Sequence, residues 1–532
     1  MQKSIDAYTT ACMEIADIIS NMHEPDVKSI KRVVKQLSAK YALPTLPRNS
    51  DILNQLTEQS YDNLRKLLMV KPTKTASGVA VVAVMPKPYA CPHGKCVYCP
   101  GGVEVGTPNS YTGKEPSTIN AVAHDYDPYE QIRSKMQHLL DNGHDVSKVE
   151  LVIIGGTFLF MPRGYQHEFV KACYDALNGF KAEDLQQAKS YNETARVRNV
   201  GLTIETKPDY CKQEHVDFML DYGATRVEIG VQALRDDVYK MVNRGHTLDD
   251  VIEAFQVARD AGYKIVAHMM PGLPNSSPEQ DIEDFRMLFY DSRFKPDMLK
   301  IYPTLVVEHT GLFNMYMQGR YNAYSDDDLI DVLVEVKKMI PRWVRIMRVQ
   351  REIAANDIIA GPKNGNLRQI VLSRLRSQGL KCKCIRCREV GLMRVKHDLN
   401  SDYDIKLLKE EYSASDGEEV FLSYEDPIKD VLFGFLRMRS PSDRAHRPEI
   451  SDDCCIVREL HVYGQALQLG RRDETSWQHR GYGAMLMHEA ESIASEEFDA
   501  KKILVISAIG TREYYRKLGY TLDGPYMAKQ LR

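Results

Sequence analysis

The sequence predicts an α/β protein: a partial parallel (β/α) barrel fused to a smaller α/β domain, with a helical N-terminal region and a cysteine-bearing link. Three observations predict it. Six short apolar runs alternate with amphipathic helical segments between residues 76 and 340, the pattern of a parallel sheet. The chain changes character after residue 400, where short strand patterns surround one helix. Between them, residues 341–399 carry a charge unlike that of the rest of the chain.

Residues 1–75 read as helical, with apolar periodicity in Ala11–Ile19 and in Val27–Leu37. The second helix carries Lys28, Lys31, Arg32, Lys35 and Lys40, and Pro44, Pro47 and Pro72 punctuate the exit. The barrel strands are expected at Val79–Val84, Val149–Ile154, Val200–Glu205, Arg226–Val231, Lys264–Met269 and Met298–Tyr302. Amphipathic segments such as Asp127–Asn142, Glu214–Tyr222 and Leu248–Ala261 separate them. Chemistry in such barrels sits at the carboxyl ends of the strands. Polar signals stand there: Gly155-Gly156-Thr157, Glu205 and Gln232 each close a strand. Residues 400–532 offer strands at Glu418–Tyr424, Val431–Arg439, Cys455–Tyr463 and Ile503–Ser507, with a helix from Gly483 to about Glu497.

Composition narrows the function classes. The chain has 532 residues, 43% apolar and 27% charged, which excludes a collagenous, low-complexity or largely disordered protein. No apolar stretch approaches the ~18–20 residues of a membrane span. The start lacks the basic head and apolar middle of a secretory signal, so a cytoplasmic protein is expected. The net charge of −3 hides an asymmetry. Between Arg342 and Lys396 stand fourteen Lys or Arg against three acids, an excess of +11 that leaves −14 for the remainder. Such a stretch suits an anionic partner, with phosphates of a nucleic acid the simplest. A solvated surface is the plainer reading.

Eleven cysteines in a reducing compartment argue for metal rather than disulfides where they cluster. Cys91, Cys96 and Cys99 form C-x4-C-x2-C just after a strand. Three thiolates on one loop suit a 4Fe–4S cluster with one open iron, whereas closed structural zinc takes four ligands. Cys382, Cys384 and Cys387 form C-x-C-x2-C, with His397 ten residues later. That set would close a tetrahedral structural zinc site, with His309 as another possible fourth ligand. Cys12, Cys173, Cys211, Cys454 and Cys455 read as small core residues.

The first triplet, its loop position and Tyr98 before its last cysteine resemble the radical S-adenosylmethionine superfamily, although the usual first gap is x3. The longer string Cys91–Gly102, with Ser110–Gly113, Glu115-Pro116, Lys207-Pro-Asp209, Asp297–Thr304 and Arg388–Gly391, is similar to the catalytic subunit of Elongator. The resemblance spans roughly residues 75–532. It implies that Gly155, Gly156 and Thr157 approach the amino group of S-adenosylmethionine and that Glu205 and Gln232 bond its ribose or amino-acid part. An ordinary strand-to-loop turn is the plainer reading of the glycines.

Gln478-His479-Arg480-Gly481-Tyr482-Gly483 follows a strand and opens a helix. Its backbone N–H groups can cradle a pyrophosphate at the positive helix end. The order resembles the acetyl-CoA site of the GCN5-related N-acetyltransferase fold, which would lay the pantetheine arm along Glu459, Leu460, His461 and Val462. Tyr514 and Tyr515 then stand near the thioester, one as core and one able to protonate the departing thiolate. Adjacent helical side chains point about 100° apart.

The resemblance implies a division into a helical tRNA-binding region (1–75), a radical S-adenosylmethionine barrel (76–340), a basic zinc-binding link (341–399) and an acetyl-CoA-binding domain (400–532). The implied reaction is carboxymethylation of carbon 5 of the tRNA wobble uridine, with Elongator accessory subunits or with this chain alone. A protein lysine acetyltransferase using Glu459 as base is a different reading, and an inactive tRNA-binding scaffold a third.

Overall fold

The computed structural model describes residues 6–396, 402–464 and 481–531. His397, expected as a zinc ligand, and Gln478, His479 and Arg480, expected at the pyrophosphate turn, therefore lie outside the described residues. The first unit packs α1 (Ala7–Ser20) against α2 (Val27–Lys40), followed by two helices at Asn49–Leu53 and Glu58–Leu68. α2 starts where Asp26 accepts from the Ser29 N–H and Ser29 answers with its hydroxyl, a reciprocal cap. Its spacing puts Ile30, Val33, Val34 and Leu37 inward against Ile15 and Ile19. Lys28, Lys31, Arg32 and Lys35 consequently face solvent.

The six expected barrel strands form as β1 (Ala80–Val84), β2 (Lys148–Ile153), β3 (Arg198–Thr206), β4 (Arg226–Gln232), β5 (Lys264–Met269) and β6 (Met298–Ile301). A two-residue β7 (Val306–Val307) pairs with β9 (Ile358–Ala360) beside the barrel. The sheet runs β1-β2-β3-β4-β5-β6-β8, all parallel, and curls into a half-barrel. Its seventh strand, β8 (Arg345–Arg348), comes from the stretch read as a link, so the barrel extends past residue 340. Arg-Ile-Met-Arg holds no apolar run, which hides the strand in the sequence.

The C-terminal domain is a second seven-stranded sheet, made of β10 (Lys406–Ala414), β11 (Gly417–Asp426), β12 (Val431–Ser440), β13 (Cys454–Val462), β14 (Lys502–Val505), β15 (Thr521–Asp523) and β16 (Tyr526–Gln530). Its order is β10-β11-β12-β13-β14-β16-β15. Most neighbours are antiparallel, but β13 and β14 are parallel and their pairing ends at Val457–Val505. The rest of β13 continues beyond that point, beside the helix Tyr482–Glu496.

This sheet closes the N-terminal end of the barrel through buried charge. Arg458 donates to both oxygens of Asp297, at 2.8 and 2.7 Å, and to Glu419 at 2.7 and 3.0 Å. Arg439 clamps Asp260 at 2.6 and 2.9 Å. Asp297, Arg458, Arg439 and Asp260 have no exposed side-chain surface. Two of the singled-out motifs serve this junction. Asp297 is the first, and Glu389 and Arg388 are the second, pairing with Arg345 of β8 and, at 2.5 Å, with Glu425 of β11. Gly391 follows because any Cβ there would collide with the Ala76 carbonyl.

Several cations of the link are thus paired within the protein. Arg388 with Glu425 is buried, Arg345 with Glu389 nearly so, Arg342 reaches Glu425 from a half-buried position, and Arg374 pairs at the surface with Asp327 and Asp331. The +11 excess overstates the free surface charge for this reason. Lys363, Arg376, Lys381 and Lys383 remain exposed. Cys12, Cys173, Cys211, Cys454 and Cys455 are all buried, as their apolar surroundings in the sequence suggest.

Candidate active site

A cavity of about 910 Å³ occupies the half-barrel and extends to β13 of the C-terminal sheet. Its upper end holds the first cysteine triplet, on the loop after β1. Asn109 donates to the Cys91 sulfur at 2.9 Å, and a His93 ring nitrogen stands 3.3 Å from the Cys96 sulfur. The other His93 nitrogen meets the Lys207 amine at 2.9 Å, and Lys207 pairs with Asp209 at 3.1 Å. The Lys207-Pro-Asp motif therefore supports the cysteine loop from the end of β3, two strands away. A hydrogen bond from Cys99, with His93 and Arg244 adding to it, holds the Cys96 thiol well below the usual range. The Arg244 guanidinium is buried against these sulfurs and donates to the Gly230 carbonyl at 2.8 Å. Donors and cations converging on three thiols suit an anionic cluster, whose thiolates bind different irons.

The strand-end signals meet around this loop. Gly155 and Gly156 adopt φ values of +121° and +108°, a region disfavoured for residues with a Cβ. The Gly155 N–H donates to Glu205 at 3.3 Å, and Gly156 and Thr157 line the cavity. Gln232 also lines it, at φ +74°, with its side-chain oxygen buried and without a hydrogen-bond partner. A non-glycine residue held there is strained, and such strain gathers at ligand sites.

Sequence reasoning missed the charged layer beneath. Lys300 bonds Glu228 and stands 3.7 Å from Glu205, while His268 contacts Glu228 at 2.9 Å. Burial opposes ionisation of Glu228, yet Lys300 and His268 hold its carboxyl far below the usual range. Burial raises Glu205 instead. Glu205, Glu228 and His268 could by their donor atoms take a cation, and the Lys300 ammonium already fills that role. The signal was a charge at an inward phase of three apolar strands, but only strand order reveals that these charges meet.

At the lower end Glu459, Leu460 and His461 line the same cavity. Glu459 accepts from Arg437 at 2.8 Å, and Arg437 and Lys264 outweigh burial to lower its pKa. The His461 ring contacts the Ser77 carbonyl at 3.0 Å. Val462 ends β13. Gly481 caps the following helix at φ +81°, with open space where a Cβ would stand. Tyr482 packs on Tyr424, ring centroids 4.8 Å apart. The Tyr514 hydroxyl lies 2.7 Å from where a Cβ on Gly483 would be. Tyr514 is half-exposed, and burial pushes its hydroxyl up to about 12. Tyr515 is buried in the core of this domain and also lines the cavity.

The second triplet lies apart. The sulfurs of Cys382, Cys384 and Cys387 all stand within 4.8 Å of one another. Three thiolates on one zinc ion stand about 3.8 Å apart, from a Zn–S distance of ~2.3 Å, so the set fits a single ion. The buried Lys337 amine is 3.6 Å from the Cys382 sulfur. His309 is exposed and outside this group. On α2, Lys40 is bound by Glu14 at 2.6 Å, whereas among the described residues no acid pairs with Lys28, Lys31, Arg32 or Lys35.

Comparison with known proteins agrees in extent. The Radical SAM superfamily model matches residues 85–288, the Radical SAM C-terminal domain model 296–377, and the ELP3 N-terminal domain model 8–76. The chain is 46% identical to "Elongator complex protein 3" of Schizosaccharomyces pombe, over 98% of each protein. It is 48% identical to the "tRNA uridine(34) acetyltransferase" of Methanocaldococcus jannaschii, over 91% of this chain and 90% of that one. Among solved structures, the Methanocaldococcus infernus Elp3 lacking its N-terminus superposes with a TM-score of 0.76 at 44% identity, covering 85% of this chain and 99% of that one. No helix among the described residues is long and apolar enough to cross a membrane.

Proposed function

The chain belongs to the Elongator complex protein 3 family, and from that premise we propose that it is a radical S-adenosylmethionine enzyme that carboxymethylates carbon 5 of the tRNA wobble uridine at the expense of acetyl-CoA. The observation that carries this reading is the single cavity, lined at one end by the Cys91–Cys99 loop and at the other by β13. An acetyl transfer alone needs no barrel, and a radical enzyme needs no acetyl site unless the acetyl group is a substrate.

Cys91, Cys96 and Cys99 would hold the 4Fe–4S cluster, which when bound supplies the electron that cleaves S-adenosylmethionine and so furnishes a 5′-deoxyadenosyl radical. Gly155, Gly156, Thr157, Glu205 and Gln232 orient the amino-acid and ribose parts of that ligand. Gln232 has an unmet acceptor for the task, and the Gly155 turn admits close backbone approach. In the proposed net reaction, the acetyl methyl gives a hydrogen atom to the radical, and after addition to the ring the C5 position gives up a proton and one electron, which balances the electron spent on cleaving S-adenosylmethionine. A C–C bond forms, and hydrolysis of the thioester releases CoA and leaves the carboxylate.

Acetyl-CoA binding is assigned to the free edge of β13 and to the turn at Gly481–Gly483, where the end of β13–β14 pairing and the open space above Gly481 support it. Gly481→Glu places a like charge where the pyrophosphate would sit. Acetyl-CoA affinity should drop at least about tenfold, a cost of ~1.4 kcal/mol, with the absorbance of the iron–sulfur centre unchanged. Calorimetric titration with acetyl-CoA decides this.

The exposed face of α2 is assigned to tRNA, together with Lys363, Arg376, Lys381 and Lys383 of the link. Replacing Lys28, Arg32 and Lys35 together by Ala should weaken tRNA binding and reduce the slope of log affinity against log salt by about two to three. Filter binding across salt concentrations measures it, and an unchanged slope removes this helix from the RNA surface. The second triplet is assigned to structural zinc, bracing the link against β8.

Glu459 argues against the lysine acetyltransferase reading. Arg437 and Lys264 keep it ionised but make it a weak base. The test is nucleoside mass spectrometry of tRNA after anaerobic incubation with reconstituted protein, reductant, S-adenosylmethionine and acetyl-CoA. Carboxymethylated uridine supports the proposal. Unmodified uridine despite an intact cluster and bound tRNA would sink it.

A further inference from the structure

Burying a charge with nothing to answer it is expensive, so a buried cation implies an anion beside it. The buried arginines of this protein follow that rule with one exception. From Arg226 with Glu150 to Arg512 with Glu193, each of the others meets a carboxylate. Arg244 is 9% exposed, and among the described residues no carboxylate pairs with it. Its Nη1 faces the Cys96 sulfur instead, 3.8 Å away. Its Nη2 donates to the Gly230 carbonyl at 2.8 Å, and its Nε is buried with no hydrogen-bond partner.

The surroundings fix the guanidinium in that place. Arg244 stands on the turn between the helices Asp236–Met241 and Leu248–Asp260. That turn is laced to the cysteine loop. The Val97 N–H donates to the Val242 carbonyl at 3.1 Å, and the Asn243 side-chain amide donates to the Lys95 carbonyl at 3.1 Å. β4 makes room with Gly230, where a Cβ would stand 2.3 Å from Nη2. Lys207, also beside the loop, is answered by Asp209, so its charge is already compensated. That of Arg244 is not.

We propose that Arg244 sets the reduction potential of the iron–sulfur cluster assigned to Cys91, Cys96 and Cys99, raising it so that an external one-electron donor can reduce the cluster. The inference rests on that assignment. Three thiolates outweigh the positive charge of a cluster core, and reduction adds one more negative charge. A fixed cation beside a ligand sulfur therefore favours the reduced form, the more so where water is excluded. An N–H directed at that sulfur acts in the same direction. The electron gained is the one spent on cleaving S-adenosylmethionine, and no further reactant enters.

A redox titration of the anaerobically reconstituted full chain, followed by electron paramagnetic resonance, tests this, with iron content measured on each sample. Arg244→Gln keeps a donor and removes the charge. At a fixed solution potential its ratio of reduced to oxidised cluster should fall at least tenfold, a midpoint lowered by about 59 mV for one electron. Arg244→Lys keeps the charge and should fall by less. Gly230→Ala keeps the arginine but displaces its guanidinium, and should also lower the midpoint with iron content unchanged. A mere prop for the loop would change iron content and leave the midpoint of the remaining cluster where it was. Wild-type midpoints in both Arg244→Gln and Gly230→Ala would overturn the proposal, and so would loss of iron from both. A wild-type chain that binds no cluster would instead overturn the assignment on which it rests.

Discussion

Cys99→Ala should reduce carboxymethyluridine formation to the level of a no-enzyme control and remove the iron–sulfur absorbance, leaving tRNA affinity within about twofold of wild type. The thiol is buried at the mouth of the cavity and shares a hydrogen bond with Cys96. The α2 cations lie on a separate helical unit that the substitution does not touch. Nucleoside mass spectrometry and filter binding on one preparation separate the two effects. Full modification by Cys99→Ala would remove the radical chemistry from this site. Loss of tRNA binding along with activity would mean that the loop supports the RNA surface as well.

The second large effect is on stability. Asp297→Ala leaves the Arg458 guanidinium buried with Glu419 as its remaining carboxylate and strips an acceptor from the Ile265 N–H. Removing one partner of a buried ion pair costs about 3–5 kcal/mol. The junction between barrel and C-terminal sheet should therefore open at a lower temperature, seen as an early transition in calorimetry. Arg458→Met added to Asp297→Ala removes the stranded charge and should recover a substantial part of the loss. A double variant no more stable than Asp297→Ala would show that the pair contributes through geometry rather than charge. Burial opposes ionisation of Asp297, but Arg458 and Arg437 hold its carboxyl far below the usual range. Its contribution is thus fully present above the ordinary carboxylate pKa and lost only in strong acid.

Much of the molecule was legible before any coordinates. Six parallel strands were visible as short apolar, mostly β-branched runs because both faces of such a sheet are buried. Of the residues that close them, Gly156, Thr157, Glu205 and Gln232 surround one cavity with the first cysteine triplet, and the Gly155 N–H reaches it by donating to Glu205. Strand ends in a parallel sheet all face one way, so sequence position alone brought them together. β8 and β10 escaped notice. Arg345–Arg348 has two apolar residues, and Lys406–Ala414 is a charged edge strand of the kind that resists further pairing.

The sequence alone determined the order of the parts, the two cysteine sets and the strand-end residues, because local spacing and periodicity suffice for those. Tertiary structure decided which charges neutralise one another. Arg345 and Arg388, read in the chain as free cations of a link, are buried against Glu389 and Glu425. Glu228, Lys300 and His268, scattered over three strands, form one cluster. Coulomb energy depends on distance in space and on exclusion of water, and neither is written in the spacing of residues along a chain. Tertiary structure likewise joined the barrel floor to β13, because the packing of two sheets and not any motif leaves that cavity between them.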